Sequence, residues 1–294
     1  MIIGMFHQGS GLGNQLHRLV ATRVKALELG VDWAMSYRHD GSGKEKGFKG
    51  SSFMDIGEWD KGKKLDVVHY NPQVERPEMV SGYWEEKKVV DDFGNDIRSY
   101  DPEFNFIEDN TIIEGEFQDE RYWEKYEREV NKWLKVEPLG EQKGWICNGE
   151  DIIWWEKPED KNCVPYKEMS DNLCVIGFRG GEYRVFPDLF LTKEYWEEAI
   201  KKMKEINQDM IFEVHTDDKE TAREFFPSAK IVQDIGLNWR SMRYAKYAII
   251  ANSSFFILPR WLSRGVTIAP RYWARRNTKV WALPQNYYKR FTYI

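Results

Sequence analysis

Between residues 173 and 269, short apolar runs alternate with stretches in which apolar residues recur at helical spacing. The runs predict buried strands at residues 173–176, 210–214, 229–232, 247–251 and 266–269. The stretches between them predict helices at residues 196–206, 219–226, 239–245 and 255–262. Because strands that alternate with such helices pair side by side, this half is predicted to be a doubly wound parallel sheet of the Rossmann-like α/β class. Ligands of such sheets bind beyond the carboxyl ends of the strands.

The N-terminal half begins with a similar pattern. Residues 1–6 form a short apolar run followed by a glycine-rich turn, which predicts a buried strand. The next apolar residues recur three and four positions apart and predict a helix that ends at Gly30. A second strand is predicted at residues 111–117, followed by a helix to about residue 134. Residues 38–64 lack periodicity and predict a loop.

An irregular stretch separates the two halves. Residues 140–165 contain several glycines and prolines, which indicates a domain boundary. Since 294 residues are typical of two domains, we predict an N-terminal domain of residues 1–165 and a C-terminal domain of residues 166–294. The aromatic and basic tail, residues 275–294, is predicted either to pack back on the N-terminal domain or to form a surface strand.

Composition excludes several functions. With 43 basic against 48 acidic residues the net charge is −5, so the chain lacks the basic surface that nucleic acid requires. No apolar run approaches the roughly 20 residues that span a bilayer, and the N-terminus has no signal-peptide pattern. We therefore expect a cytoplasmic protein without a transmembrane segment. The five histidines show no metal-binding spacing, so no protein-bound metal is expected.

Two glycine-rich segments follow predicted strands. Residues 9–15 (GSGLGNQ) lead into the first helix, whose N-terminal amides and partial positive charge suit a phosphate. Arg179 follows a buried strand and precedes two glycines, which places its forked guanidinium to hold an anion. The structural alternatives are a plain turn for the first segment and a salt bridge of Arg179 with Glu182 or Glu213 for the second.

Two further polar segments follow predicted strands. Residues 215–218 (HTDD) offer acceptors to a base or a ribose. Residues 252–254 (NSS) offer hydroxyls and amides to a phosphate, and the adjacent Phe255 can stack on a base. Helix capping is the structural alternative for both segments, by Thr216 or Asp217 in the first and by a serine in the second. Together the four segments predict a pocket for a nucleotide diphosphate, held by an arginine and helix N-termini without a metal.

The same segments, in this order, resemble those of the α-1,2-fucosyltransferase family and its GDP-fucose-using relatives. The resemblance spans residues 9–273, nearly the whole chain, and the order and spacing of the motifs make it specific. Five motifs of the family have counterparts in this chain. GGLGNQ corresponds to residues 9–15, GYFQSEKYF to residues 115–123 and HxRRGDY to residues 177–183. FSDD corresponds to residues 215–218, SNSSFSWW to residues 251–257, and the IAP strand that follows it to residues 268–270.

The resemblance implies a GT-B-like fold, in which two Rossmann-like domains face a cleft. It also implies an inverting, metal-independent and cofactor-free glycosyltransferase that moves fucose from GDP-fucose to a glycan hydroxyl. On this interpretation residues 1–165 are the acceptor-side domain, and residues 166–294 bind the nucleotide-sugar donor.

The resemblance further assigns roles to residues. Arg179 matches the arginine that holds the donor β-phosphate, and either Asp217 or Asp218 matches the carboxylate that reads guanine. Asn14 would reach across from the N-terminal domain, and we assign Gln118 to the acceptor side. The residues expected to bind the donor are Gly11, Gly13, Asn14, Gln15, Arg179, Asp217, Asp218, Asn252, Ser253, Ser254 and Phe255.

The expected reaction is a direct displacement at the anomeric carbon. An acceptor hydroxyl attacks that carbon while Arg179 and helix amides stabilise the charge that builds on the leaving diphosphate. We assign Arg179 and Glu182 as the catalytic residues. The candidates for the general base that takes the hydroxyl proton are Glu182, His7, Asp119 and Glu116.

The match to HxRRGDY is incomplete. Gly177 stands in place of the histidine, Gly180 in place of the second arginine, and Glu182 in place of the aspartate. Arg184 either compensates for the lost charge or is a solvated surface charge. Two alternatives are therefore the use of another nucleotide sugar and a catalytically altered relative that binds glycans. A Rossmann oxidoreductase is disfavoured because no acidic residue occurs at the dinucleotide spacing.

Overall fold

The computed structural model describes residues 1–7, 10–38, 48–50, 52–54, 56, 81–87, 89–90, 96–97, 100–136, 145–148, 151–154, 172–186, 189–271 and 288–294. The chain separates into two compact units, Met1–Leu134 and Lys135–Ile294. The domain boundary predicted after residue 165 lies outside the described residues, and so does most of the loop predicted at residues 38–64. In the described parts of the chain, no helix is both long and apolar enough to cross a membrane.

The N-terminal unit is built on a parallel sheet. Its elements are strands β1 (Ile2–His7), β2 (Trp33–Arg38), β3 (Gly82–Glu85), β4 (Val89–Val90), β5 (Asp96–Ile97) and β6 (Thr111–Glu114), and helices α1 (Leu12–Leu29) and α2 (Glu127–Trp133). Four strands pair in parallel in the order β2-β1-β6-β3, while β4 and β5 form a separate antiparallel pair. The apolar residues of β1 and β6 are buried at the centre of this sheet, which explains the apolar runs in the sequence.

Helix α1 forms where the helical periodicity predicts it. Its buried face carries Leu16, Leu19 and Val20. Gly30 follows the last turn with a left-handed backbone (φ 66°), the conformation in which glycine ends a helix. The same buried face carries the charged residue Arg18, which the periodicity did not identify as part of a site.

The segment after β6 differs from the sequence prediction. The strand ends at Glu114 rather than at residue 117, because Phe117 adopts a left-handed backbone (φ 51°) and turns the chain away. Two 3-10 turns, Glu120–Tyr122 and Glu124–Tyr126, replace the first part of the predicted helix. Between them Trp123 is fully buried with a non-helical backbone (φ −139°), so the helix begins only after this ring.

The C-terminal unit has the larger sheet. Its strands are β7 (Trp145–Asn148), β8 (Asp151–Trp154), β9 (Leu173–Phe178), β10 (Ile211–Thr216), β11 (Lys230–Val232), β12 (Tyr247–Ile250), β13 (Val266–Ala269) and β14 (Thr292–Tyr293). Its helices are α3 (Lys193–Ile206), α4 (Lys219–Phe225), α5 (Ile235–Tyr244) and α6 (Ser254–Ser263). Six strands pair in parallel in the order β11-β10-β9-β12-β13-β14, and β7 and β8 form an antiparallel pair within the stretch predicted to be irregular.

The larger sheet is doubly wound. The chain enters it at β9, runs outward through β10 and β11, and returns to add β12 and β13 on the other side of β9. The winding direction therefore reverses between β9 and β12, which makes this the topological switch point. The predicted α/β class, with a parallel Rossmann-like sheet in each half and a doubly wound C-terminal sheet, is confirmed. The loops after β9, β10 and β12 leave the same edge of the sheet.

The end of the chain joins the C-terminal sheet. Thr292 and Tyr293 pair in parallel with Ile268 and Ala269 of β13. The described part of the tail, residues 288–294, thus contains a two-residue strand and belongs to the C-terminal unit. The edge of β13 offers backbone groups that need hydrogen-bond partners, which residues 292 and 293 supply. The rest of the predicted tail, residues 275–287, lies outside the described residues.

Candidate functional site

Arg179 leaves the carboxyl end of β9 and is held by two carboxylates. Its guanidinium donates hydrogen bonds to Asp217 and to Oε1 of Glu182, the latter at 2.8 Å. Its Cζ atom lies 5.1 Å from the ring centre of Tyr183. The predicted structural alternative, a salt bridge with Glu182, is present, while Glu213 pairs with other residues. The Arg179 side chain remains 27% exposed, so a ligand can reach it.

Asp217 and Asp218 tie the loop after β9 to the loop after β10. The amide of Gly180 donates to Oδ1 of Asp217 at 2.9 Å, and the amide of Gly181 donates to Oδ2 of Asp218 at 3.1 Å. Asp218 also caps α4, because it accepts from the amide and hydroxyl of Thr221 at 3.1 and 2.6 Å. Burial alone would raise the pKa of Asp218, but these hydrogen bonds outweigh burial and lower it. The segment thus does cap α4, as the structural alternative had it, but through Asp218 rather than through Thr216 or Asp217.

The glycines at the end of β9 and in the loop that follows it are closely approached by their neighbours. A Cβ atom at Gly180 would lie 2.7 Å from Cβ of Asp218, and one at Gly177 would lie 2.9 Å from Cδ1 of Phe256. Gly181 has a φ of 42°, which residues with a side chain rarely adopt. A histidine at position 177 would therefore require Phe256 to shift, and an arginine at position 180 would require Asp218 to shift.

His215 is buried and engaged at both ring nitrogens. Nε2 lies 2.8 Å from Oε1 of Glu213, and Nδ1 lies 2.9 Å from Oδ1 of Asn238, whose amide nitrogen donates to the carbonyl of Thr216. Burial works to raise the pKa of Glu213, but hydrogen bonds from His215 and Lys230 outweigh it and lower the pKa. His215 therefore packs β10 against α5 rather than offering an acceptor to a base or a ribose.

The segment between β12 and α6 is more buried than its polar sequence suggests. Asn252 is buried, and its amide nitrogen donates to the carbonyl of Leu189 at 2.9 Å. Ser253 occupies the N-cap position of α6, yet its hydroxyl makes no capping bond to the described residues, contrary to the capping alternative. Ser254 begins the helix, and the ring of Phe255 lies edge-on to that of Phe256 at 5.2 Å.

These three loops of the C-terminal unit meet at one edge of the sheet. The amide of Ala251 donates to the carbonyl of Gly177 at 2.8 Å, and the hydroxyl of Tyr183 contacts the carbonyl of Asn252 at 3.5 Å. The described residues include no group of three or more His, Cys, Asp or Glu side chains placed to hold a metal ion. The arrangement is a cationic group and backbone amides beyond the carboxyl ends of the strands, which suits an anionic ligand.

The glycine-rich segment forms the N-terminus of α1 in the other unit. Gly11 is the N-cap residue, and Gly13 is buried in the first turn. Gln15 is also buried, and its Oε1 accepts a hydrogen bond from the amide of Lys49 at 2.9 Å. Gln15 therefore supports neighbouring backbone, in addition to any contact with a ligand.

Asn14 and Gln118 are brought together although 104 positions separate them. Nε2 of Gln118 donates to Oδ1 of Asn14 at 3.1 Å. Both residues were singled out from the motifs, one for the donor and one for the acceptor. The N-terminal unit thus has its own pair of predicted site residues at the carboxyl ends of β1 and β6.

A buried arginine organises the same end of the N-terminal sheet. Arg18 is 1% exposed, and its guanidinium donates to the carbonyl of Gly115 and the hydroxyl of Ser10 at 2.8 Å each. It also donates to Nδ1 of His7 at 3.1 Å and to Oε1 of Glu116 at 2.7 Å. Burial lowers the pKa of Arg18, and the charge of Glu116 opposes that shift.

Two of the predicted general bases are fully engaged. Nε2 of His7 lies 2.6 Å from Oε1 of Glu114, whose other oxygen accepts from the hydroxyl of Tyr83 at 2.6 Å. Since an arginine N–H faces Nδ1, neither nitrogen of His7 is available to a substrate. Asp119 caps a 3-10 turn and pairs with Arg121 through both carboxylate oxygens, at 2.8 and 2.6 Å.

A buried glutamate holds the turn that carries Glu116. Oε2 of Glu86 accepts from the amides of Glu116 and Phe117 at 2.7 and 3.1 Å, and its Oε1 accepts from the hydroxyl of Tyr122 at 2.8 Å. Oε2 of Glu116 is itself buried and meets no donor among the residues that the structure describes. A buried acceptor without a donor costs about 1–3 kcal/mol, so this atom requires an explanation.

The motifs did not identify Arg18 or Glu86. For Arg18 a signal exists, because a charged residue between Leu16 and Leu19 interrupts the apolar face of a predicted helix and so indicates a buried charge. Glu86 has no such signal, since it lies in a stretch without periodicity.

Comparison with known proteins gives one similarity in sequence. No protein-family profile matches the chain. A curated Escherichia coli protein named alpha-1,2-colitosyltransferase is 36% identical over 180 residues, which cover 52% of this chain and 62% of that protein. Among solved structures, NodZ alpha-1,6-fucosyltransferase soaked with GDP-fucose has a TM-score of 0.45 at 14% identity, covering 90% of this chain and 91% of that chain. E. coli heptosyltransferase WaaC with ADP has a TM-score of 0.37 at 11% identity, covering 92% of this chain and 88% of that chain. The chain is thus similar in sequence, over about half of its length, to a protein named as a glycosyltransferase.

Proposed function

We propose that this chain is a glycosyltransferase that moves a sugar from a nucleotide-sugar donor to the hydroxyl of a glycan acceptor. In its finer form the proposal is an inverting, metal-independent and cofactor-free transfer from GDP-fucose by an enzyme of the GT-B type. Similarity to a protein named alpha-1,2-colitosyltransferase supports sugar transfer. The motif resemblance to α-1,2-fucosyltransferases supports a GDP-linked donor.

The observation that carries the proposal is the position of Arg179 at the switch point of the C-terminal sheet. This edge is where ligands of doubly wound sheets bind. Arg179 is partly exposed there, and the N-terminus of α6 lies beyond the neighbouring strand β12. A forked guanidinium with helix amides nearby suits a diphosphate.

In the proposed reaction, the acceptor oxygen forms a bond to the anomeric carbon while the bond from that carbon to the diphosphate oxygen breaks. The diphosphate keeps the electron pair, and the N–H groups of Arg179 stabilise its growing charge. Glu182 is 68% exposed and Asp217 is 31% exposed, so Glu182 is the partner of Arg179 that an incoming diphosphate displaces more easily. Asp217 then keeps the guanidinium in place.

GDP-linked colitose is a second candidate donor. Colitose is fucose without its 3-hydroxyl group, and the relative similar in sequence is named for its transfer.

The test is a panel of thermal melts and transfer assays with GDP, UDP, GDP-fucose, GDP-colitose and UDP-sugars, each with and without EDTA. We expect GDP and a GDP-sugar to raise the melting temperature, because a ligand at about 100 times its Kd stabilises a protein by about 2.7 kcal/mol. We expect transfer to continue in EDTA. Binding of a glycan without stabilisation by any nucleotide would instead favour the glycan-binding alternative.

A further inference from the structure

We propose that one edge of the C-terminal unit, around the exposed cations Lys246, Arg264 and Lys289, binds the surface of an anionic lipid bilayer. This contact goes beyond the proposed sugar transfer and does not depend on it. Two features support it: the uneven distribution of charge along the chain, and the edge of the sheet at which the fold collects basic residues.

The charges of the chain are distributed unevenly. Residues 235–294 contain 11 of the 43 basic residues and none of the 48 acidic residues. This segment therefore has a formal charge of +11, while residues 1–234 have a formal charge of −16. The net charge of −5 averages over the two segments, so, contrary to the expectation from composition, it does not exclude a basic surface.

The fold places three exposed cations of this segment at one edge of the C-terminal sheet. Lys246 directly precedes β12, Arg264 lies shortly before β13, and Lys289 lies shortly before β14. These three strands are neighbours and run parallel, so their amino ends lie at the same edge. Since neighbouring strands are about 4.8 Å apart, the three strand starts span about 10 Å. We call these three cations the amino-edge patch.

A buried arginine fixes the backbone beneath the amino-edge patch. Arg260 is fully buried, and its guanidinium donates to the carbonyls of Met242 and Ala245 at 2.8 and 2.7 Å. It also donates to the carbonyl of Val266 at 3.1 Å, and the amide of Val266 donates to the carbonyl of Lys246 at 2.9 Å. The segments before β12 and β13 are therefore held together at the edge of the sheet.

The charge of two neighbouring helix ends does not account for the amino-edge patch. Helices α5 and α6 end at this edge, and a helix C-terminus has a partial negative charge of about half an elementary charge that favours nearby cations. Arg260 already donates to two carbonyls at the end of α5. Arg290 donates to the carbonyl of Trp261, in the last turn of α6, at 2.7 Å. The three exposed cations add positive charge beyond that of these two arginines.

Acidic residues at the same edge belong to a different part of the sheet. In the described part of the unit, Glu205 and Asp209 lie in the connection that leads into β10. Strand β9 separates β10 from β12. The basic character is therefore concentrated at the β12, β13 and β14 end of this edge.

A lipid bilayer suits the amino-edge patch better than a nucleic acid does. Val266, the first residue of β13, is 41% exposed beside the cations. An exposed apolar side chain adds nothing to contacts with a phosphate backbone, but it can enter a bilayer interface whose head groups contact the cations. An anionic surface also repels the acidic remainder of the chain, which orients the basic edge toward it. The loop that carries Arg179 leaves the opposite edge of the sheet and stays accessible.

The test is sedimentation of the full chain, without nucleotide, with phosphatidylcholine vesicles that contain either no anionic lipid or about one-third phosphatidylglycerol. We expect binding to the anionic vesicles alone, and weaker binding at about 1 M than at about 0.1 M salt, because the Debye length falls from about 10 Å to about 3 Å. Lys246→Gln/Lys289→Gln should bind about 25-fold more weakly, since each cation near an anionic bilayer contributes about fivefold. The control Lys201→Gln/Arg223→Gln removes two exposed cations from α3 and α4 and should bind as wild type does.

Three outcomes overturn the proposal. The first is equal binding to both kinds of vesicle, or none to the anionic vesicles at about 0.1 M salt. The second is an equal loss of binding in the two double variants, which would mean that net charge alone matters. The third is tighter binding to duplex DNA than to anionic vesicles at the same salt, which would assign the patch to nucleic acid. If the melting curve of Lys246→Gln/Lys289→Gln shows that it does not fold, each single variant should show a loss of about fivefold. Failure of the sugar-transfer assays would leave these outcomes unchanged.

Discussion

One carboxylate oxygen of Asp217 accepts a hydrogen bond from the guanidinium of Arg179, while the other accepts one from the amide of Gly180 at 2.9 Å. Asp217 therefore sets the direction of Arg179 and the path of the loop that follows it. This relationship joins the ends of β9 and β10, and it makes the position of the cation depend on two strands at once. It also gives Asp217 a role that differs from the reading of guanine expected from the motif.

Arg179→Ala should abolish transfer without unfolding the protein. The guanidinium is partly exposed, and its loss removes the group proposed to stabilise the leaving diphosphate. Removal of one such donor lowers kcat by about 100-fold to 1,000-fold. Initial rates and GDP-dependent melting test this, with Arg223→Ala, an exposed arginine of α4, as the control. Near-normal turnover of Arg179→Ala would rule out the phosphate role.

Asp217→Asn should increase the affinity for GDP. The amide oxygen of the new side chain can still accept a hydrogen bond and hold the guanidinium, but the negative charge that repels the diphosphate beside Arg179 is gone. Titration calorimetry with GDP, ADP and UDP measures the change. If Asp217 instead reads guanine, the variant will bind GDP more weakly and will discriminate less between the three nucleotides.

Gly180→Ala should destabilise the C-terminal unit. The added Cβ atom would lie 2.7 Å from Cβ of Asp218, so the loops must move apart. Overpacking of this kind costs about 1–3 kcal/mol, which a chemical denaturation curve resolves. Gly11→Ala is the matched control, because a Cβ at Gly11 meets no described atom within 4 Å. Equal stability of the two variants would show that the loop adapts without strain.

Acid should destabilise the N-terminal unit through His17. Burial lowers the pKa of His17 to about 4, with the charge of Arg18 adding to the shift against the opposing Gly13 hydrogen bond. The ordinary pKa of histidine is near 6.5. Between pH 6.5 and pH 4, His17 is protonated in the unfolded chain but not in the folded chain, so the free energy of unfolding falls as the pH decreases. The full effect is about 3 kcal/mol.

Chemical denaturation of wild type and of His17→Gln tests that effect. The curves are measured at a pH above about 7.5 and at a pH near 5, because these two pH values lie on either side of the ordinary histidine pKa. Glutamine can still donate to the carbonyl of Gly13 but does not titrate, so the variant should lose less stability on acidification than wild type does. Parallel losses in the two proteins would mean that other groups account for the acid response.

Most strands and helices of the C-terminal unit were predictable because each depends on local pattern. The runs at residues 173–176 and 247–251 became β9 and β12 with ends shifted by two residues or fewer. Strand β2 was missed because its sequence, WAMSYR, mixes polar and apolar residues and forms a strand only beside β1. The tail strand β14 was one of two open possibilities, since its pairing depends on the edge that β13 leaves free.

The candidate site was only partly predictable for a similar reason. The motifs identified Arg179 and Asp217, but not that the aspartate holds the arginine. They identified Asn14 and Gln118 separately, and the hydrogen bond between them appears only in the folded unit. They left four candidates for the general base, and only the structure shows that both ring nitrogens of His7 and both carboxylate oxygens of Asp119 are already engaged.

The sequence by itself determined the α/β class, the alternation of strands and helices in the C-terminal half and the end of α1 at Gly30, since periodicity and glycine conformation act over a few neighbouring residues. Only the tertiary structure decided which polar groups meet. Arg18 reaches Gly115 and Glu116 across 97 and 98 positions of chain. A hydrogen bond depends on distances of a few tenths of an ångström, and such distances between remote residues are set by the packing of whole strands and helices.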